Sequence, residues 1–171
     1  MMCTDIIIRR LDFNKIHEAS STLAKCWKSA YAGLVSDEYL SSLKNTHWVD
    51  FLEKNKDGKI AECIVAEKND KIVGVSIFGN SITEKFPDDG EIISLYVIPE
   101  LIGQNIGHML FEEAQQAIKK RGYRNCITCT FAENIRAVRF YKSHGYEIVS
   151  QDEIVKIGTQ ELPYVIMRKS L

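Results

Sequence analysis

The sequence predicts a mixed α/β fold in which helices flank one central sheet. Three observations predict it. Apolar periodicity switches between strand and helix in the order strand, helices, two strands, strand–helix, strand–helix, two strands. Two of the strand pairs are joined by short turns, so they pair antiparallel, which sets the pattern apart from a doubly wound parallel sheet. Third, the run from Glu91 to Ala117, E-I-I-S-L-Y-V-I-P-E-L-I-G-Q-N-I-G-H-M-L-F-E-E-A-Q-Q-A, reads as a buried strand, a glycine-containing loop and an amphipathic helix. With 171 residues, 45% of them apolar, the chain is sized for one domain over 1–171 with one core.

The elements follow in order. Residues 5–10 (D-I-I-I-R-R) form a first strand. Asp12 or Asn14 caps a helix running through Ile16, Leu23, Trp27 and Tyr31, and Gly33 ends it. Ser36-Asp37-Glu38 starts a short helix through Tyr39, Leu40 and Leu43, and another helical segment covers 47–54. Residues 60–67 and 71–79 are strands joined through Asn69-Asp70 as a hairpin. The strand 91–98 is apolar on both alternating sets, Ile93, Leu95 and Val97 on one and Ile92, Tyr96 and Ile98 on the other, so it is central and covered on both faces. A helix over 104–120 buries Ile106, Leu110, Phe111, Ala114 and Ile118 in a 3.6-residue stripe, and Gly122 stops it. A strand at 125–131, a helix from Asn134 to about His144 closed by Gly145, and strands at 146–157 and 162–169 complete the chain.

Composition narrows the function classes. The formal net charge is −1, from 22 basic and 23 acidic residues, so bulk charge draws the chain neither to nucleic acid nor to an anionic membrane. No stretch approaches the roughly 20 apolar residues of a membrane span. The N-terminus, M-M-C-T-D-I-I-I-R-R, does not read as a signal peptide. Five cysteines is an odd count without framework spacing, so free thiols in a reducing cytoplasm are expected. Cys126 and Cys129 form a C-x-x-C string inside a strand, where positions three apart face opposite ways. The histidines at 17, 47, 108 and 144 are scattered without ligand spacing, and no metal is expected.

The loop after the strand 91–98 carries the chemistry. Backbone N–H groups at a helix start lack intrahelical partners, and the helix dipole places partial positive charge there. A strand feeding a glycine loop that opens a helix therefore suits a phosphate. The G-x-x-x-x-G-K-[ST] and G-x-G-x-x-G patterns are both absent, which argues against a P-loop or a Rossmann site. On this stretch alone the glycines could equally serve only the turn.

A second constellation follows. In N-I-R-A-V-R-F-Y-K-S-H-G-Y, at 134–146, Asn134, Ala137, Val138 and Tyr141 share one helix face. That face mixes an amide, a small residue and a phenol, where a core face would more often hold Leu or Ile; a buried tyrosine serving the core is the alternative.

Taken together, V-I-P at 97–99, the loop 102–107 and the 134–146 block resemble the GNAT superfamily of N-acetyltransferases. The family pattern is V-x-P, then R/Q-x-x-G-x-G/A, then N-x-x-A-x-x-F-Y-x-x-x-G-F/Y. Two positions depart from it. Ile102 stands where the family has a basic or amide residue, and Asn105 replaces the middle glycine, Asn being the residue that best tolerates a positive φ.

The resemblance implies a GNAT fold: a mixed sheet of about six or seven strands, helices on both faces, and a V-shaped splay between two parallel central strands, here 91–98 and 125–131. It implies a bulge near Leu95–Tyr96. It implies acetyl-CoA as acetyl donor, with the pantetheine arm on the backbone of Leu95 and Val97. The pyrophosphate would lie on the N–H groups of Gly103, Gln104, Asn105, Ile106, Gly107 and His108, with Asn134 and Ala137 beside the arm. Tyr141 would protonate the leaving thiolate, the N–H of Val97 would face the developing oxyanion, and Glu91 would act as base, on a strand face shared with Leu95 and Val97. The acceptor is the amine of a small molecule, polyamine-like or other, or of a peptide, in a pocket for which Trp27, Tyr31 and Tyr39 are candidates; as residues alone, these aromatics equally suit the core. A non-catalytic acyl-CoA sensor and an acetyltransferase of protein N-termini or lysines are the alternatives. A homodimer is implied only at the level of the family.

Overall fold

The structure is a computed structural model that describes residues 5–171. The reading of the N-terminus as lacking a leader rests partly on residues 1–4, which, with Cys3, lie outside the described residues.

Seven strands form one mixed sheet in the order β1-β2-β3-β4-β5-β7-β6. These are β1 (Ile7–Arg10), β2 (Ala61–Lys68), β3 (Lys71–Asn80), β4 (Gly90–Val97), β5 (Asn125–Phe131), β6 (Glu147–Ile157) and β7 (Gln160–Ser170). The helices are α1 (Ile16–Ala30), α2 (Asp37–Ser42), α3 (Val49–Lys54), α4 (Ile106–Lys120) and α5 (Ile135–Ser143). The β4–β5 pair is parallel, and the other neighbours run antiparallel.

Local chemistry sets the boundaries. Asp12 accepts from the N–H of Asn14 and caps a 3-10 turn, Phe13–Lys15, that leads into α1. Ser36 caps α2 by accepting from Tyr39 N–H, and Asn134 caps α5 by accepting from Ala137 N–H. Asn69 and Asp70 both hold positive φ, 51° and 60°, as a tight two-residue hairpin between β2 and β3 demands. The helix expected from 104 begins at Ile106, because Asn105 is left-handed with φ 66°.

Two apolar layers cover the sheet. On one face α4 and α5 pack Leu110, Phe111, Ala114, Ile118 and Tyr141 over Ile92, Cys126 and Met167. On the other, α1 and α3 pack Ile16, Leu23 and Leu52 over Val65, Val75 and Ile77. A third, smaller cluster joins Tyr31 and Leu40 to Phe131 and Leu162. Among the described residues no helix is long and apolar enough to cross a membrane.

Candidate active site

The site begins where two strands part. β4 and β5 pair only over Gly90–Ile92 with Cys126–Thr128. Past that ladder β4 stays on β3 as far as Val97, and β5 stays on β7 as far as Phe131. Each strand follows its outer neighbour, and a wedge opens between them. A cavity of about 640 Å³ fills the wedge, walled by Ile93–Val97, Thr128–Thr130, the turn after β4, α5 and the end of α1. That volume suits a small-molecule site.

The bulge lies at Ile93, between the pairs Phe78–Ile92 and Ile77–Ser94, and so one turn of the pleat earlier than the expected Leu95–Tyr96. Its extra residue shifts the alternation. Leu95 and Val97 therefore lie with Ile92 on the α4 side, while Ile93 and Tyr96 lie on the α1 side. The expected face shared by Glu91, Leu95 and Val97 does not exist, because Glu91 precedes the bulge.

The start of α4 is open. Asn105 makes no side-chain cap, in contrast to Ser36 and Asn134, and the first helical bond runs from Met109 N–H to Asn105 C=O. Among the described residues the N–H groups of Ile106, Gly107 and His108 have no backbone acceptor. Gly103 (φ 88°) and Asn105 shape the loop, and a Cβ at Gly107 would make only an ordinary contact, 3.8 Å from Val97 Cγ2. Gly103, Asn105, Gly107 and His108 border the cavity. Gln104 is exposed and off the wall, and the Ile106 side chain is buried in the core, so these two offer backbone only.

Opposite the loop stands α5. Of the four residues assigned to one helix face, Asn134, Ala137 and Tyr141 border the cavity, while Val138 packs against the core cluster instead. Capping uses the Asn134 carbonyl oxygen, 3.2 Å from Ala137 N, which leaves its amide NH2 as a donor. Burial pushes the Tyr141 phenol well above the ordinary tyrosine value, so the hydroxyl stays protonated and able to donate.

Of the three candidate acceptor aromatics only Tyr31 borders the cavity. Its hydroxyl lies 2.7 Å from that of Tyr96, and desolvation raises both phenols. Trp27 packs edge-on against Tyr31, with ring centroids 4.8 Å apart, and stands behind the wall. Tyr39 packs against Gly158 in the β6–β7 turn, away from the cavity. The sequence reading missed Tyr96, Cys129, Arg136 and Phe140 as wall residues. Tyr96 was legible only as part of an apolar strand, and the splay that exposes it is a property of the strand pair.

Glu91 is 3% exposed and does not border the cavity. Its carboxylate accepts from Ser81 Oγ (3.0 Å), Ile82 N (2.8 Å), Thr83 N (3.2 Å) and Thr83 Oγ1 (3.1 Å). Thr83 Oγ1 also lies 3.4 Å from Cys129 Sγ, on the cavity wall. Burial pushes the Cys129 thiol up to about 11, and Cys26 and Cys126 to about 12, so none of the three is a ready thiolate nucleophile near neutral pH. Two of the supposedly scattered histidines meet: His108 on α4 and His144 after α5 sit with their ring nitrogens 2.8 Å apart. The tertiary fold, not chain spacing, brings them together.

The model of the acetyltransferase (GNAT) family matches residues 21–146 of this chain. The chain belongs to the GNAT family. The matched span holds every residue that borders the cavity, from Cys26 to Tyr141. This GNAT N-acetyltransferase is 27% identical over 154 residues to a spermidine N(1)-acetyltransferase of Thermoplasma acidophilum, covering 86% of this chain and 91% of that one. It is 21% identical over 156 residues to YuaI, an uncharacterized N-acetyltransferase of Bacillus subtilis, with 91% and 88% covered. Its fold resembles that of the PaiA N-acetyltransferase of Thermoplasma acidophilum, solved with coenzyme A, at a TM-score of 0.78 and 23% identity over 98% of this chain and 99% of the other. It also resembles YncA of Salmonella typhimurium, solved with acetyl-CoA, at a TM-score of 0.74 and 19% identity over 98% and 94%.

Proposed function

We propose that this single-domain enzyme transfers an acetyl group from acetyl-CoA to a primary amine of a small molecule of the polyamine class, by direct attack in a ternary complex. The observation that carries the reading is one cavity bordered by the unpaired edge of β4, the open start of α4 and the Tyr141 phenol. The free edge of β4 at Leu95–Val97 suits an extended arm that adds as a strand. The uncapped N-terminus of α4 suits a pyrophosphate, and Arg136 on α5 brings positive charge to the cavity. The residues present thus fit acetyl-CoA. The spermidine-acetylating relative supports the acceptor class.

The residues divide the reaction among them. Leu95 and Val97 bind the arm, and Val97 N–H faces the thioester oxygen as it gains negative charge. Asn134 NH2 donates to the arm. Tyr141 delivers a proton to the departing thiolate. Tyr31 and Tyr96 present a hydroxyl pair and aromatic faces to the acceptor cation. An alkylammonium must lose a proton before it attacks at neutral pH. Glu91 takes that proton indirectly, through Cys129 Sγ on the wall and Thr83 Oγ1 behind it: the thiol passes its own proton to Thr83 Oγ1, which passes its own to the carboxylate.

The deciding experiment presents acetyl-CoA with a panel of polyamines, other small amines and peptides and follows release of free CoA thiol. Turnover with polyamines above peptides is expected. Turnover with peptides alone would reassign the acceptor. Binding of acetyl-CoA without any transfer would make the domain an acyl-CoA sensor.

A further inference from the structure

His108, Glu112 and His144 bring three metal-ligating atoms within 4.8 Å of one another. We propose that these residues bind a divalent transition-metal ion of the zinc, cobalt or nickel type at the rim of the cofactor cavity. His108 and Glu112 are four residues apart on α4 and share a face. His144 is the residue that ends α5, and it meets His108 from that helix. Two imidazole nitrogens and one carboxylate leave positions open for water, a donor set suited to these ions.

The arrangement around His144 is that of a prepared ligand. Its Nδ1 lies 2.7 Å from the carbonyl oxygen of Phe140, so Nδ1 carries the proton and donates there. Nε2 is then the lone-pair nitrogen, and it points at His108. A backbone carbonyl that fixes the tautomer of a ligating histidine is a recurrent outer partner of metal sites. Packing holds the ring as well: the Phe111 and Phe140 centroids lie 4.3 and 4.4 Å from it. His108 is exposed, so its ring is free to turn. The two nitrogens, now 2.8 Å apart, need to part only to about 3.3 Å to share a tetrahedral ion with bonds of about 2.0–2.1 Å. Their ring-to-ring hydrogen bond is what the pair makes without an ion. A bound ion would tie the start of α4 to the end of α5, two helices packed on the same face of the sheet.

The test is titration of the metal-free protein with Co2+, read by visible d–d absorption and by thermal melting. One equivalent should saturate the band, with no thiolate charge-transfer absorption, and the melting temperature should rise. His108→Ala and His144→Gln should each remove both signals. Glu112→Gln should weaken binding about tenfold or more, the loss that even an outer partner causes. His108 is exposed, so His108→Ala keeps the test decisive if His144→Gln folds poorly. A band that never saturates, one that persists in His108→Ala, or one carrying thiolate absorption would overturn the proposal.

Discussion

Tyr141 and Glu91 show how differently one sequence pattern can translate into a site. The face shared by Asn134, Ala137 and Tyr141 was legible because a helix keeps its period from cap to end. The face assigned to Glu91 was not, because one bulged residue at Ile93 reverses the alternation and depends on pairing with β3. The two residues therefore predict different behaviour. Tyr141→Phe removes a hydroxyl and little packing, so it should keep acetyl-CoA affinity while turnover falls roughly 10²–10⁴-fold, as steady-state and binding measurements would show. Burial raises the Tyr141 pKa, and the protonated form is the active acid. The parent should therefore show no alkaline loss of rate from this group until the pH passes the ordinary tyrosine value. Glu91→Gln turns an acceptor-only group, held by donors from Ser81 to Thr83, into one that also carries two N–H bonds. It should lower the melting temperature and shift the pH–rate profile upward, the deficit shrinking where free amine is abundant. Thr83→Val should reproduce the pH shift if the relay operates; an unshifted profile in both variants would remove Glu91 from catalysis.

At the scale of elements, turns and caps were the most legible features, because their chemistry is local. Ser36 and Asn134 cap the helices their types announce, and Asn69-Asp70 makes the hairpin turn. The loop before α4 was legible for the same reason: Asn105 stands left-handed where the family pattern has glycine. Asn105→Gly should leave stability nearly level and preserve or tighten acetyl-CoA binding. Asn105→Val should weaken both, since the left-handed conformation costs an ordinary L residue about 1–2 kcal/mol and a β-branched one resists it further. Melting curves and CoA titration of the pair check this, and equal behaviour would contradict the conformation. The meeting of His108 and His144 was illegible, since it arises only when α4 and α5 cross the same sheet face.

For the molecule as a whole, the order of elements made the mixed sheet and its helix layers readable, while the depth of the cleft was not. Depth depends on how far two parallel strands stay paired, and nothing in the residue pattern of either strand marks where the pairing stops after Ile92 and Thr128. Ligand binding should act on global stability. Acetyl-CoA at about a hundredfold excess over its Kd contributes about 2.7 kcal/mol, roughly 5–10 °C in melting temperature for a chain of this size. Gly107→Glu should abolish that rise, because it sets bulk and negative charge among the free N–H groups of α4 while a Cβ there meets only Val97. A full shift in this variant would place the phosphates elsewhere.

The three-residue ladder between Gly90–Ile92 and Cys126–Thr128 carries a mechanical meaning. β1 to β4 form one laced leaf and β5 to β7 another, and the leaves are bound along a spine only three pairs long, reinforced by Thr128 Oγ1 donating to Ile92 C=O at 3.0 Å. Such a book bends most easily about its spine. An arm laid along the Leu95–Val97 edge is then a bookmark that fixes how wide the leaves stand. Amide hydrogen exchange should register it twice: at Leu95 and Val97, which the arm covers, and at Cys126 and Ile127, which lie off the cavity wall but whose breathing it stills.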